Sequence, residues 1–418
     1  MLDSKHEVLI VGGGIVGLAC AYALLRQGRQ VTIIEKGRVA GAASHGNCGT
    51  ITPSHAAPLP MPGLPLKVLR WMTQADAPFY LKPRWDPALF AWLLRALGRC
   101  NRQDFERTAA IKGELLMASR RQIGEWIARE GMACGFEAIG TLYVFRDLAA
   151  FDAFGWHATL LTQLGMAVER KDAGQLAAME PALNENVVAG YFQPQDAHLR
   201  PDRYAAELAR VVRRMGGTII EHREVDGWLR DGDAVTGVVC GGERLSADVV
   251  LLAAGSWSPL MLRGLDLSLP VQPGKGYSIT YDRPSIAPRI PLVLKERSVC
   301  VTAWDDGYRL GSTMEFAGYD DSLNRVRLDA LRRGAAEYLR EPQGPQVREE
   351  WFGWRPMTPD DLPIIGPVAG RKGLWLATGH GMLGVSMSAM TGELVAAMLC
   401  GQETPINPRP FSPDRYLR

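Results

Sequence analysis

No cysteine pattern in this sequence points to a covalent framework. The seven cysteines, at positions 20, 48, 100, 134, 240, 300 and 400, are odd in number, scattered, and never in Cys-x-x-Cys. That excludes a disulfide scaffold or a zinc site and predicts reduced thiols in a cytoplasmic protein, with no metal. An excess of one charge is also lacking. The 47 Lys and Arg face 45 Asp and Glu, a net charge of +2, which gives no reason to expect nucleic acid. The longest apolar runs, such as 249–254, are too short to span a bilayer. No basic leader region precedes the first apolar stretch, and no internal repeat or low-complexity tract is visible. What remains is a globular composition, 47% hydrophobic and 22% charged. At 418 residues the chain exceeds one ordinary core, so two domains are expected.

The most informative stretch is the first. Residues 7–11 form an apolar run that reads as a buried parallel strand, and it breaks into Gly12-x-Gly14-x-x-Gly17. A helix is expected over 18–27, stopped by Gly28, then a second apolar strand at Val31–Ile34 with Glu35 at its end. Gly12 permits the tight turn, Gly14 lets a pyrophosphate approach the backbone, and Gly17 lets helix pack on strand. The helix N-terminus offers N–H groups and the positive end of a dipole to the phosphates. Glu35, 18 positions after Gly17, can accept hydrogen bonds from both ribose hydroxyls and argues against a 2′-phosphate. Ile15, Val16 and Lys36 complete the contacts expected of this unit. A glycine-rich turn alone would mean little, but strand, fingerprint, helix, strand and acid together predict a dinucleotide, FAD or NAD.

The loop at 41–50 is rich in glycine, alanine and serine, so its backbone can lie against a flat ring, with Ser44, Gly46 and Asn47 at hand; a flexible linker is the bland alternative. Residues 58–100 set Trp71, Phe79, Tyr80, Trp85, Phe90 and Trp92 among prolines, with Lys67, Arg70, Lys82, Arg84, Arg95 and Arg99 against only Asp76 and Asp86. Such a segment suits peripheral docking on an anionic membrane, or equally the lid of a substrate domain. Helices are expected over 105–130, 151–165, Ala173–Met179, 203–215 and 328–339, and strands over 140–145, 190–193 and 218–221. The dinucleotide is also expected to reach Val225. A buried strand from 248 ends at Ala254-Gly255, with Trp257 beyond, where a ligand of an open α/β sheet would lie. Residues 273–280 and 307–312 alternate like antiparallel strands of a second sheet. Near the end, strand Leu374–Thr378, turn Gly379-His380-Gly381 and helix Gly384–Leu399 repeat the strand–glycine–helix design.

These motifs, together with Ser44-His45-Gly46-Asn47, Pro62-Gly63-Leu64-Pro65-Leu66-Lys67, Lys275-Gly276-Tyr277-Ser278, Trp354-Arg355-Pro356-Met357-Thr358-Pro359-Asp360 and Thr378-Gly379-His380-Gly381-Met382-Leu383-Gly384, run from Gly12 to about Gly392. In them the chain resembles the glycine oxidase/D-amino-acid oxidase superfamily of flavoproteins, and within it the bacterial D-amino-acid dehydrogenases. The resemblance implies FAD rather than NAD, and an α/β fold. A Rossmann-like FAD-binding domain (1–56, 197–262 and 352–418) would be interleaved with a substrate domain (57–196 and 263–351) on a mixed, largely antiparallel sheet. Sarcosine oxidases, similar overall, tether flavin through a cysteine just before a Thr-Pro-Asp; here Phe352-Gly353-Trp354-Arg355 has none, so the FAD is expected to be non-covalent. The family varies around His45 and Cys48, and neither is given a catalytic role.

The implied chemistry is oxidation of an amine beside a carboxylate. Arg355 suits bidentate binding of that carboxylate. Tyr277 and Tyr308 would add a hydroxyl or an aromatic wall, or belong to the core, and His380 would position backbone at the flavin edge. The last helix would offer its N-terminal dipole to the flavin, through Gly381, Met382, Leu383 and Gly384. The neutral amine passes its α-hydrogen as hydride to flavin N5, and the imine hydrolyses to a 2-oxo acid and ammonia. A D-proline or D-hydroxyproline dehydrogenase and an oxygen-using glycine or D-amino-acid oxidase are the neighbouring alternatives, with a quinone or another acceptor taking the electrons. Escort proteins of the GDP-dissociation-inhibitor type share the architecture, but do not need Gly379, Gly381 and Gly384. A flavin monooxygenase would need a second fingerprint for NAD(P)H.

Overall fold

The computed structural model describes residues 6–64 and 79–417. The apolar run at the N-terminus forms the strand His6–Val11 in the middle of an eight-stranded sheet. It pairs in parallel with Val31–Ile34 on one side and Glu243–Leu252 on the other. Leu9 and Ile10 have no exposed surface, as a strand covered on both faces requires. Thr218–Ile220 extends the parallel part beyond Val31–Ile34. Besides His6–Val11, the ten-residue strand Glu243–Leu252 serves two further partners. Its first half joins the antiparallel hairpin Gly227–Asp231/Ala234–Cys240, and its second half runs parallel to Leu374–Thr378.

The first helix starts at Ile15, inside the glycine motif and three residues earlier than its apolar pattern indicates. Gly14, in extended backbone, is its N-cap and has no side chain to bond the first turn; instead the Ser44 hydroxyl accepts from Ile15 N at 3.1 Å. The expected helix over 151–165 is two, Leu148–Ala153 and Gly155–Gln163.

A second sheet of nine strands is mixed and largely antiparallel. Its order runs Val347–Met357, Gln272–Tyr281, Gly307–Phe316, Val299–Trp304, Leu292–Leu294, Thr141–Phe145, Ala189–Gln193, Glu169–Asp172, with Phe79–Leu81 beside Gly307–Phe316. Only the Leu292–Leu294/Thr141–Phe145 and Phe79–Leu81/Gly307–Phe316 pairs are parallel. The two sheets alternate along the chain. Two details depart from the expected division. Position 352 falls inside the strand Val347–Met357, and the helix Arg102–Glu130 buries Leu115, Leu116, Ile123 and Trp126 in the core of the first sheet.

That core is closed by the last helix, Gly384–Leu399, which packs on the first helix and on Arg102–Glu130. With the turn before it, residues 381–399 are long and apolar enough to cross a membrane, which the sequence reading did not anticipate. Burial inside the protein, over 72% of that window, accounts for the apolarity. The helices meet closely at Gly392, where an added Cβ would stand 2.5 Å from the Ala19 carbonyl oxygen and 3.2 Å from the Trp126 ring. Gly392→Ala is therefore expected to destabilise the protein by about 1–3 kcal/mol through overpacking. A lower denaturant midpoint at unchanged slope checks this; an unchanged midpoint would show that the helices separate freely.

Candidate active site

Between the sheets runs a cavity of about 2110 Å³, about twice the upper end of ordinary small-ligand pockets (roughly 1,000 Å³). All the site residues expected from the sequence line it except Gly17, Gly379 and Tyr308. One end is built by the glycine turn. A Cβ at Gly14 would have only the Ser44 hydroxyl near it, at 3.6 Å, so the space in front of the helix N-terminus is open. Glu35 is held by Gly13 N on one carboxylate oxygen (2.7 Å) and Gly37 N on the other (2.8 Å), leaving a lone pair on each for a diol. Val16, Lys36 and Val225 stand beside it, and Lys36 is ion-paired with Glu224. Ala254, Gly255 and Trp257 follow the end of Glu243–Leu252, at the carboxyl edge of the parallel strands.

The two glycines outside the lining act on the backbone. A Cβ at Gly17 would sit 2.0 Å from Gly12 O, so the helix can pass the turn only without one. Gly379 has φ +76, and a Cβ there would stand 2.6 Å from Thr358. His380 lines the cavity, yet its Nε2 lies 2.9 Å from the Thr391 hydroxyl. Because that hydroxyl donates to Met387 O, Nε2 must donate to it, and burial lowers the imidazole pKa to about 3. His380 is thus a neutral strut between turn and helix.

Tyr308 is a correction. It is fully buried in the second sheet's core with its hydroxyl donating to Pro342 O at 3.1 Å, away from the cavity. Tyr277 reaches the lining, but its hydroxyl donates to Glu315 at 3.0 Å. Arg355 lines the same cavity from the strand Val347–Met357 of the second sheet. Gly276 makes its slot, since a Cβ there would stand 2.3 Å from the guanidinium carbon. Its nitrogens donate to Thr313 O at 2.5 Å and, more weakly, toward Ser312 O at 3.5 Å. Burial pulls its pKa below the ordinary value, and no carboxylate pairs with it among the described residues.

Several groups at the site escaped sequence reasoning. Arg309, almost fully buried, donates to Thr280 Oγ1 at 2.9 Å and to the carbonyls of His45 (2.9 Å) and Asn47 (2.7 Å), fixing the loop at 41–49 on the second sheet. Lys112 is ion-paired with Asp361, both buried and both in the lining. Also in the lining, Ser54 Oγ donates to Asp196 (2.6 Å) and lies 2.9 Å from the Tyr143 hydroxyl, itself 3.0 Å from His55 Nδ1. A charged residue on an inward position of a strand or helix face was the available signal for Arg309 and Lys112.

Comparison with known proteins decides the family. The family model DAO, described as FAD dependent oxidoreductase, matches residues 7–398. The chain belongs to this FAD-dependent oxidoreductase family. It is 37% identical to a protein named D-amino acid dehydrogenase from Methylobacterium nodulans over 99% of each chain. It is 34% identical to one so named from Granulibacter bethesdensis, covering 98% of this chain and 99% of that one. Among solved structures it resembles glycine oxidase from Bacillus cereus (21% identity, 96% of each chain, TM-score 0.75) and L-proline dehydrogenase from P. horikoshii (19%, all of each chain, TM-score 0.78), likenesses of fold. The open space at Gly14, the backbone-held Glu35 and the cavity's size fit the family's FAD.

The buried histidines set an acid limit. Burial lowers the pKa of His55 and His157 to about 3 and of His198 to about 4, as it does for His380. Folded values below the unfolded one mean stability that is present above pH 6.5 and lost as pH falls. Asp196 works the other way. Burial raises its carboxyl to about 7, so its contribution is complete below pH 3.8 and lost as pH rises through 7. Four imidazoles outweigh two carboxyls that burial raises, Asp196 and Glu180, so the thermal midpoint should drop between pH 6.5 and 4.5. His157 Nδ1 has no hydrogen-bond partner, and His157→Phe should flatten the slope by about 1.4 kcal/mol per pH unit. Parallel pH profiles for wild type and variant would refute this.

Proposed function

We propose that this chain is a D-amino acid dehydrogenase that holds FAD without a covalent tether. On this reading a D-amino acid is oxidised to the 2-oxo acid and ammonia, and the electrons pass to an acceptor such as a membrane quinone. FAD supplies the two-electron acceptor for the substrate's α C–H bond. The protein supplies binding, orientation and exclusion of water. The Glu35 carboxylate and the N–H groups behind Gly14 would hold the dinucleotide, and Ser44, Gly46 and Asn47 would lie along its ring system. The absence of cysteine from Phe352, Gly353, Trp354 and Arg355 supports a flavin that acid releases.

The observation that carries the reading is Arg355, a half-buried guanidinium in a glycine slot at the cavity wall, bonded to carbonyls and lacking a carboxylate partner among the described residues. A substrate carboxylate is the partner such a group wants. Arg355→Met should remove a desolvated charge-assisted contact worth on the order of 2–5 kcal/mol. That corresponds to roughly thirty- to several-thousand-fold in flavin-reduction rate over substrate affinity. Arg355→Lys should recover only part, because a point charge replaces a fork. FAD content should stay normal in both. Wild type should prefer a good substrate to its carboxamide, and Arg355→Met should lose that preference. Equal discrimination by both proteins would place the carboxylate elsewhere.

For the acceptor, the described part of 58–100 supports docking on the cytoplasmic face of a membrane. Residues Lys67, Arg70, Trp71 and Asp76 lie outside the described residues. The helix Pro87–Gly98, capped by Asp86, buries Leu89 and Trp92 inward, where Trp92 Nε1 donates to Met357 O at 2.9 Å. Its outer side presents Phe90, Leu94 and Leu97 with Arg95, and Trp85 is 87% exposed just before it. Apolar side chains ringed by basic ones fit an anionic bilayer surface. Sedimentation with anionic vesicles, weakened by salt and by Leu94→Glu, is expected, and quinone analogues should outpace oxygen in reoxidising the flavin. No pelleting together with rapid oxygen consumption would mark a soluble oxidase.

A further inference from the structure

Two thiols meet in the cavity, and the chemistry above uses neither. Cys48 closes the loop that Arg309 fixes on the second sheet; Cys300 lies on the strand Val299–Trp304. Gly311 is the register partner of Cys300, and an added Cβ at Gly311 would stand 2.5 Å from Cys48 Sγ. Glycine at 311 therefore opens the space in which the Cys48 sulfur comes to rest beside Cys300. Both cysteines are half-buried, and both line the cavity that Arg355 also lines. The other cysteines lack this arrangement. Cys20, Cys134 and Cys240 are buried in the cores, and Cys100, also in the lining, donates to Ala96 O at 3.3 Å.

We propose that Cys48 and Cys300 form a reversible dithiol–disulfide pair inside the cavity, a redox modification site for a peroxide small enough to enter. The neighbouring Cys300 thiol, with Arg309 and Arg355 adding positive charge, favours thiolate at Cys48, while Cys300 is pushed the other way. Cys48 is thus the attacking sulfur. Its sulfur displaces hydroxide from hydrogen peroxide; an S–O bond forms, the O–O bond breaks, and the hydroxide takes up a proton to leave as water. Cys300 sulfur then attacks the sulfenic sulfur; the S–S bond forms, the S–O bond breaks, and a second water leaves. In balance, two thiols and one peroxide give one disulfide and two waters. The bond would tie the loop carrying Ser44, Gly46 and Asn47 to the second sheet, a contact Arg309 already holds closed.

The test treats the FAD-loaded protein with sub-equivalent hydrogen peroxide, alkylates remaining thiols in acid denaturant, and maps peptides without reductant. The expected product is one cross-linked pair carrying Cys48 and Cys300, two hydrogens lighter than the separate peptides and released by dithiothreitol. It should persist in Cys100→Ser and vanish in Cys48→Ser and Cys300→Ser, both of which should keep their FAD. In Cys300→Ser, Cys48 should halt at the sulfenic acid and be trapped by dimedone. Full alkylation of both thiols after peroxide, or oxidation of Cys48 beyond sulfenic acid in wild type with no cross-link, overturns the proposal.

Discussion

Arg309 is the contact on which the cavity depends. Two sheets flank the dinucleotide groove, and the loop at 41–49 belongs by sequence to the first but is held on the second. One buried guanidinium bonds the carbonyls of His45 and Asn47 and the hydroxyl of Thr280. Hydrogen bonds to a charged donor contribute about 1.5–3 kcal/mol each. Removing the partners of a buried cation costs more than those bonds alone, because the charge is left desolvated. His45, paired with Glu349 at 2.9 Å, and Gly46, whose Cβ would overlap the Trp351 ring, secure the same loop to the neighbouring strand. The site's two halves therefore share one rigid seam.

Arg355 makes the opposite use of the same functional group. Both guanidiniums come from the second sheet; Arg309 has a long ion pair to Glu349 at 3.8 Å, and Arg355 has no carboxylate partner among the described residues. Arg309 has its donors taken by two carbonyls, the Thr280 hydroxyl and Glu349, and is finished as a structural element. Arg355 is bound only on one flank, in a slot that a glycine leaves open. The difference between a clamp and a binding group lies in how many donors the protein itself consumes.

What could be read in the sequence was local. Strand, glycine turn, helix and acid fall within thirty residues, and Gly12 and Gly17 there have steric reasons visible in the structure. The late turn at Gly379 to Gly384 follows the same logic. Readings that needed the other face of a strand or a distant partner fared differently. Tyr277 and Tyr308 both alternate correctly along their strands, but period two says only that faces alternate, not which face meets the cavity. The helix Arg102–Glu130 carries an apolar stripe that says it is buried, not that it is buried against the first sheet. Arg309 and Lys112 belong to partners 249 to 264 positions away, beyond any pattern in a window of sequence.

The close fit of Gly392 on Ala19 also bears on how the protein is made. The first helix leaves the ribosome early, yet the surface that covers it is among the last segments translated. The roughly 370 intervening residues take about 20–75 s to synthesise at 5–20 residues per second. Throughout that interval the flank of the first helix at Ala19 lacks its cover, and from the time Glu243–Leu252 is made its free edge waits for Leu374–Thr378. Such surfaces are what chaperones bind and what aggregates form from. A nascent chain of this architecture carries an unfinished nucleotide site for nearly its whole period of synthesis, and its yield is governed by how well that half-built sheet is shielded.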